Sequence, residues 1–514
     1  MRLSIRLLRN TVANYLGTFV TFAVALFLTP FVINILGDSR YGVWTLAGSV
    51  AGYLALLDFG LANALAKYTA EYASRHDSKT VSQMASTLFF AFLGVGLICL
   101  LGMVWLSSRF SSFFDVPAEY VSASRAVVVI LGVNFGLGLP LSIYNALTVG
   151  FQRYDLLNAA VALSGLLNAG LTVVALLCHW DLVGLAAIAC LVTVTRALLL
   201  RWSLKRWVEP SLAIHPRFVS RPLFKLLLSY SVFMFVMLAC RQIEESTGTV
   251  IVGRLVGLDD VTPYSVGLKV SSLVRQFAFP VTVALFPAFS ELSALADHRR
   301  LGALLVQGLR ISALVGMPLA GVTIVLARPL ISFWIGPAYV ASAGVAVVML
   351  LKVLVDQQLL AASSLLQGTA KLRLYAGLHI WAVLFAAGLS LRFAPRWGSI
   401  AVAIGSLLAW TSVLVVTVPY TARLAGVSLG DLLSKALGKP LAATAFVCLG
   451  LFGLCRWHAP DSFVLLALYA AVTGLIYLPL VWFFCLTRGE REAIVRSVQI
   501  LRGSHKSTSL EKVD

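Results

Sequence analysis

A chain of 514 residues that is 59% hydrophobic and 12% charged, with a mean hydropathy of +0.90, is not a water-soluble globule. A hydrated surface on that length carries about twice the charge. The net charge of +18 has the sign of a nucleic-acid binder, but the bases sit in short clusters between apolar blocks, which is how a multi-pass membrane protein carries them.

The basic stretch MRLSIRLLRN opens the chain. The apolar segment behind it, Thr11–Ile35, is of spanning length and lacks a small-residue cleavage site, so it reads as a first helix and not as a signal peptide. Further spans are predicted at Val43–Leu65, Val81–Leu106, Ala126–Val149, Leu156–Cys178, Leu182–Leu200, Leu226–Val252, Ser265–Phe289, Ile311–Ala327, Ala343–Leu366, Leu374–Leu391, Ile400–Ala422, Leu437–Cys455 and Phe463–Leu486. The expected fold is an all-α polytopic membrane protein with fourteen transmembrane helices. Val81–Leu106, Leu156–Cys178 and Phe463–Leu486, among others, run past the ~18–20 residues that cross a hydrocarbon core without a single charge. Seven cysteines are scattered through the spans with no CxxC spacing. They argue against a disulfide framework or a metal site, and no cofactor is expected.

An even number of spans puts both termini on one side, and the bases decide which. Arg2, Arg6 and Arg9, the run from Arg196 to Lys225, and the tail from Arg488 onward share a side with most other bases. The opposite turns carry only Arg40, Arg109, Arg125, Arg254, Arg328, Arg392, Arg396 and Arg456. Both termini are therefore expected in the cytoplasm, and no nucleic-acid partner is needed to explain the charge. The widest connection, residues 201–225, holds Pro210, Pro216 and Pro222. It reads as a linker between a six-helix lobe at 1–200 and another at 226–424, followed by helices 13 and 14 at 425–486 and a cytoplasmic tail at 487–514. An internal repeat supports the division: Ala146–Leu171 aligns without gaps to Ser364–Leu389, six helices later. That spacing relates the lobes by a pseudo-two-fold axis along the membrane normal.

Ionisable residues inside spans are expensive and by default face a cavity or a partner. Helix 7 carries Arg241, Glu244 and Glu245; helix 8 carries Lys269 and Arg275; helix 10 carries Lys352 and Asp356; helix 2 carries Asp58. Arg241 with Glu245, and Lys352 with Asp356, are four apart and share a helix face. For these pairs mutual neutralisation and a cavity role stay open. Lys269 and Arg275 have no carboxylate at helical spacing on their own helix. With Arg241 and Lys352 they form the expected cationic, substrate-binding set, because guanidinium and ammonium groups suit phosphate oxygens. Glu244, Glu245, Asp356 and Asp58 are the candidates for proton or ion coupling, Glu244 foremost. Gly48-x-x-x-Gly52 and Gly132-x-x-x-Gly136 predict close helix contacts. His379 reads as a satisfied core residue. No GxxxxGK[ST] occurs, so the expected energy source is an ion or substrate gradient.

Helices 1 and 2 carry a further signal. Asn14-Tyr15, Pro30, Leu36-Gly37, Tyr41-Gly42-Val43-Trp44, the stretch Leu56-Leu57-Asp58-Phe59-Gly60-Leu61, and Lys67-Tyr68 with Glu71-Tyr72 together resemble the Wzx-type oligosaccharide flippases. These are the polysaccharide-transporter branch of the multidrug/oligosaccharidyl-lipid/polysaccharide exporter superfamily. The resemblance implies two lobes around a cationic cavity that opens alternately to either side of a bacterial cytoplasmic membrane. It implies a polyprenyl-pyrophosphate-linked oligosaccharide as cargo, helices 13 and 14 near the lipid tail, and partners among other polysaccharide-assembly membrane proteins. The chain departs from a symmetric clamp in one respect: its mid-depth bases fall on helices 7, 8 and 10, with none expected in helices 1–6.

Two transporters of the same superfamily are the near alternatives, a peptidoglycan-precursor flippase and a drug/cation antiporter. Four acids balance four bases at membrane depth, which disfavours the acid-dominated cavity of the antiporter. A polymerase or ligase would place a sizeable outer domain over its active site. The longest outer loop here, Ser107–Arg125, has Asp115 and Glu119 as its only acids and no histidine, so no enzyme is expected. Cysteines introduced at Ser111 and Ser504 should label from opposite sides of the membrane. Labelling of both from one side overturns the fourteen-helix topology.

Overall fold

The computed structural model describes residues 22–279, 289, 292, 298–369, 371–486 and 488–492. All regular structure among them is helical. Ten described helices are long and apolar enough to cross a membrane, eleven if one bent pair counts as a single span. The expected helices around Arg221–Leu255 and Val261–Ala278 are present but are not among those ten. Arg241, Glu244 and Glu245 lie within the first and Lys269 and Arg275 within the second. Residues 280–288, in the span expected at Ser265–Phe289, and the tail beyond residue 492 lie outside the described residues.

In chain order, α1 (Phe22–Leu36) and α2 (Asp38–Gly52) lead through a 3-10 turn, Tyr53–Asp58, into α3 (Leu61–Ser74). The span is bent by 43° at that point. The sequence explains the break. Phe59 and Gly60 both adopt left-handed backbone, φ 50° and 72°, which ends one helix and re-aims the next. The Asp58 carboxylate then accepts the amide of Ala62 at 3.2 Å, so the most specific motif of the chain is a helix break with its own cap.

Then come α4 (Ser78–Phe113), α5 (Val121–Leu141), α6 (Ile143–Gly150), α7 (Tyr154–Leu177) and α8 (Leu182–Trp207). Asp77 opens α4 by accepting the amide of Thr80 at 3.0 Å, and its hydrogen bonds to Thr80 hold its carboxyl below the usual carboxylate range. Asp181 opens α8 by accepting the amide of Leu182. α9 (Arg221–Leu255) and α10 (Val261–Ala278) follow, then α11 (His298–Val325), α12 (Ala327–Trp334), α13 (Ser342–Gly368), α14 (Leu372–Trp397) and α15 (Ser399–Leu424). The last two are α16 (Leu429–Trp457), with a π-helical stretch at Leu433–Gly438, and α17 (Phe463–Cys485), which ends in another at Val481–Cys485.

The chain forms two compact units. The first comprises Met1–Gln276, Ile335–Met349 and Ala376–Trp410. Its core joins Val43, Leu46, Phe110, Val127, Leu182, Val252 and Tyr264, all buried. Small residues set its closest helix contacts. A Cβ on Gly96 would run into the Gly136 carbonyl, and one on Gly132 would meet Met103 Cβ at 2.6 Å. Of the earlier glycine pair, Gly52 lies against Gln242 and Ser246 while Gly48 faces open space. The proline-rich linker is held, not loose. Its amides at Ala213, His215 and Ser220 donate to the hydroxyls of Ser82, Ser86 and Thr87 on α4, which meets the demand of otherwise unpaired backbone groups.

The first unit also ties the α1–α2 turn to the α9–α10 turn. Ser39 donates to Asp259 at 3.0 Å, the Thr262 hydroxyl to the Asp38 carbonyl at 2.7 Å, and Tyr339 to the Asp38 carboxylate. Arg254 reaches Asp115 at 2.9 Å. His379 packs edge-on against Trp410, ring centroids 5.0 Å apart.

The second unit comprises Phe277–Trp334, Leu350–Tyr375 and Thr411–Asp514. Tyr477 on α17 donates to the Leu314 carbonyl on α11 at 3.0 Å. Gln357 on α13 donates to the Ala278 carbonyl at 3.1 Å, and its amide fills the space that Gly316 leaves open.

Candidate functional site

Inside the first unit lies a cavity of 500 Å³ between the broken span α2–α3, α5, α8 and α9, within the size range of small-ligand sites. Each element brings at least one polar group. The helix break supplies Asp58; α5 supplies Asn134 and, at its end, Ser142; α8 supplies Thr193; α9 supplies Arg241, Gln242 and Glu245. Leu56, Phe135, Leu139 and Leu238 form the apolar wall.

The charges are arranged around Glu245. Arg241 donates to it through Nε at 3.1 Å, the pairing that the four-residue spacing predicts. Arg275, from the neighbouring α10, reaches the same oxygen at 3.8 Å. Asp58 accepts only from the Ala62 backbone amide and pairs with no base among the described residues. It stands at the N-terminus of α3, where the helix dipole favours negative charge.

Lys269 is half-buried in the middle of α10 and makes no ion pair or side-chain hydrogen bond with any described residue. Glu244 is half-buried on α9, within electrostatic reach of Cys240 and Tyr264. Of the eight predicted residues, the first unit thus brings together Asp58, Arg241, Glu245 and Arg275, with Glu244 and Lys269 on the same two helices. Lys352 and Asp356 lie in the second unit. Their side chains are 8% and 14% exposed, and Nζ stands 2.6 Å from the carboxylate.

Several residues of the site carry no sequence signal strong enough to select them. Asn134 lies in an apolar helix, and its Oδ1 is buried without a partner. Gln242 donates to Ser246 at 2.9 Å. Arg196 was counted as a base flanking the end of a span, but α8 continues to Trp207. The residue is therefore an intrahelical, half-buried base, one turn beyond Thr193, with no paired acid among the described residues.

A second cavity, of 610 Å³, lies in the second unit beside Arg310, Asp431, Lys435 and Glu490. Its bases are paired, Arg310 with Glu490 and Lys435 with Asp431 at 3.0 Å. Among the described residues no group of His, Cys, Asp or Glu is placed to hold a metal ion.

Comparison with known proteins places this arrangement. The family described as polysaccharide biosynthesis protein matches residues 7–293, a stretch that contains every residue of the first cavity. A putative O-antigen transporter from Shigella flexneri is 20% identical over 338 residues, which cover 65% of this chain and 78% of that one. Among solved structures, the lipid II flippase MurJ in an inward closed conformation matches with a TM-score of 0.70 at 12% identity, over 93% of this chain and 98% of that one. An inward-facing multidrug resistance transporter of the MATE family, in the MOP superfamily, matches at 0.69 and 15% identity, over 80% and 94%. At these identities the two structures speak to the fold alone.

The buried pair in the second unit gives a direct test of its role. Lys352→Met alone should lower stability by about 3–5 kcal/mol by stranding Asp356, while Lys352→Met with Asp356→Leu should restore most of the loss. Thermal unfolding in detergent measures both. A double variant that folds normally yet exports nothing shows that the pair serves cargo or coupling and not packing.

Proposed function

We propose, for a chain that belongs to the polysaccharide biosynthesis protein family, that it carries a polyprenyl-pyrophosphate-linked oligosaccharide from the cytoplasmic to the outer leaflet of a bacterial inner membrane. The chain is a multi-pass membrane transporter of that family. The observation that carries the reading is the uncompensated ammonium of Lys269. A charge in the middle of an apolar helix costs several kcal/mol or demands a partner, and no described residue supplies one. A pyrophosphate brings the missing negative charge, and Arg275, one and a half turns further along α10, has a side chain only loosely engaged by Glu245. The name of the Shigella relative, an O-antigen transporter, supports the same class of cargo.

Alternating access between two lobes, 1–200 and 226–424, requires contacts that close one end and then yield. The ties from Asp38, Ser39 and Asp115 to residues of the second half are of that kind, being hydrogen bonds and one exposed ion pair. Each is worth about 1 kcal/mol or less.

Export of surface glycan in cells should fail with Lys269→Ala and with Arg275→Ala at normal protein levels, and Lys269→Arg should restore part of it. Export that survives Lys269→Ala removes the basis for a pyrophosphate site here.

Coupling is placed at Asp58. Its carboxylate caps α3 where the span is bent, so a change in its charge acts on the geometry of the break. Glu244 is not among the residues that line the cavity. Asn caps a helix as well as Asp does but does not titrate. Asp58→Asn should therefore fold, bind cargo and lose the response of reconstituted flipping to an imposed pH gradient. A gradient response equal to wild type makes Asp58 a cap and nothing more.

A further inference from the structure

We propose that the 500 Å³ cavity of the first unit is a glycan subsite, which holds sugar hydroxyls of the cargo and selects cargo by its sugar. The inference rests on the flippase reading and deepens it. The headgroup is assigned to the bases of α10, and the sugar to the wall between the helix break, α5, α8 and α9.

Three observations carry it. The first is the hydrogen-bonding character of the wall. Ser142 gives its proton to the Leu139 carbonyl at 2.7 Å, and Thr193 gives its proton to the Ala189 carbonyl at 2.9 Å. Both hydroxyls therefore offer lone pairs to the cavity and not protons. Asp58 and Glu245 accept only. Asn134 Oδ1 is a buried acceptor with nothing to accept from. Against this set the donors are Arg241, whose Nε is already given to Glu245, and the amide groups of Asn134 and Gln242, the latter given in part to Ser246. A wall in which acceptors predominate disfavours phosphate oxygens, which carry no protons, and suits the O–H donors of a sugar.

The second observation is the charge. Of the charged residues that line the cavity, Glu245 is paired with Arg241 and Asp58 caps the Ala62 amide. The lining therefore has no surplus positive charge for a phosphate, and its remaining hydrogen-bonding groups suit a polar ligand that donates protons. The third is the mixed lining. Phe135, Leu56, Leu139 and Leu238 offer apolar surface between the polar groups, which matches the C–H faces that alternate with hydroxyls on a pyranose ring. The empty site also has a built-in preference. The Asn134 carbonyl is unsatisfied until a hydroxyl arrives, and such a group discriminates against ligands that leave it unpaired.

The test is binding to the full chain in nanodiscs free of glycosidic detergent, because maltoside headgroups would occupy the same subsite. The probes are a polyprenyl pyrophosphate without sugar and the same lipid carrying one glucose, galactose, N-acetylglucosamine or N-acetylgalactosamine. Wild type should bind at least one glycosylated lipid about tenfold more tightly than the bare lipid, a gain of the size of one or two hydrogen bonds. Asn134→Leu and the isosteric Thr193→Val should each cut that ratio toward one, and Thr193→Val decides the matter if the Asn134 variant does not fold. Lys269→Ala should instead weaken all of the lipids together.

A wild type that binds the bare lipid but shows no preference for any sugar overturns the subsite and leaves the headgroup reading standing. A preference that survives both variants does the same. Wild type that binds none of the lipids removes the flippase reading and the subsite with it. Tetraphenylphosphonium binding that needs Asp58 and Glu245, in place of sugar discrimination, makes the cavity a cation site and overturns the inference.

Discussion

Glu245 holds two guanidiniums from two helices, and most of what is distinctive in the first unit is arranged around it. Arg241 lies one turn back on α9 and Arg275 comes from α10. Grouped in this way the three charges offset one another, which lowers the cost of holding each in a bundle of apolar helices. The contact from Arg275 also joins α10 to the polar face of α9 that lines the cavity.

The break at Asp58, Phe59 and Gly60 has a second kind of necessity. A helix cannot be interrupted at membrane depth unless the freed backbone groups find partners. The Asp58 carboxylate supplies one, to the Ala62 amide. The left-handed pair at Phe59 and Gly60 lets the chain turn within two residues. The cavity forms where the bend opens space beside α5 and α8. Capping, bending and cavity formation therefore share one residue, so a ligand or proton that engages Asp58 acts on the shape of the span as well as on its charge.

How much of this could be read beforehand follows from the range of each signal. The apolar blocks are long and local, so the membrane class and most helices were legible, α7 and α17 almost to the residue. Arg241 with Glu245 and Lys352 with Asp356 were legible because helical spacing alone brings them into contact. The contact of Arg275 with Glu245 was not, since nothing in either helix states which face meets its neighbour. Asn134, Thr193 and Gln242 were missed for a related reason. A neutral polar residue in an apolar helix has no periodic signature that separates a cavity wall from a helix contact. Arg196 was misplaced because α8 runs on past its apolar part through a basic segment, and hydropathy marks the end of the apolar run, not of the helix.

The two ends of the first unit are bonded differently, and the difference bears on transport. At one end the linker is stitched to α4 by three backbone amides that donate to hydroxyls. At the other end two of the ties end on exposed groups. Asp115 is 80% exposed where Arg254 meets it, and Ser39 meets Asp259 at the surface. Such contacts sum to a few kcal/mol at most. That is the scale on which differential binding can move a two-state equilibrium from one side to the other. On the proposed reading, a pyrophosphate that neutralised Lys269 would release an electrostatic cost of comparable size. Cargo would then open the far end without a tight contact being broken, provided that it bound the open state better than the closed one.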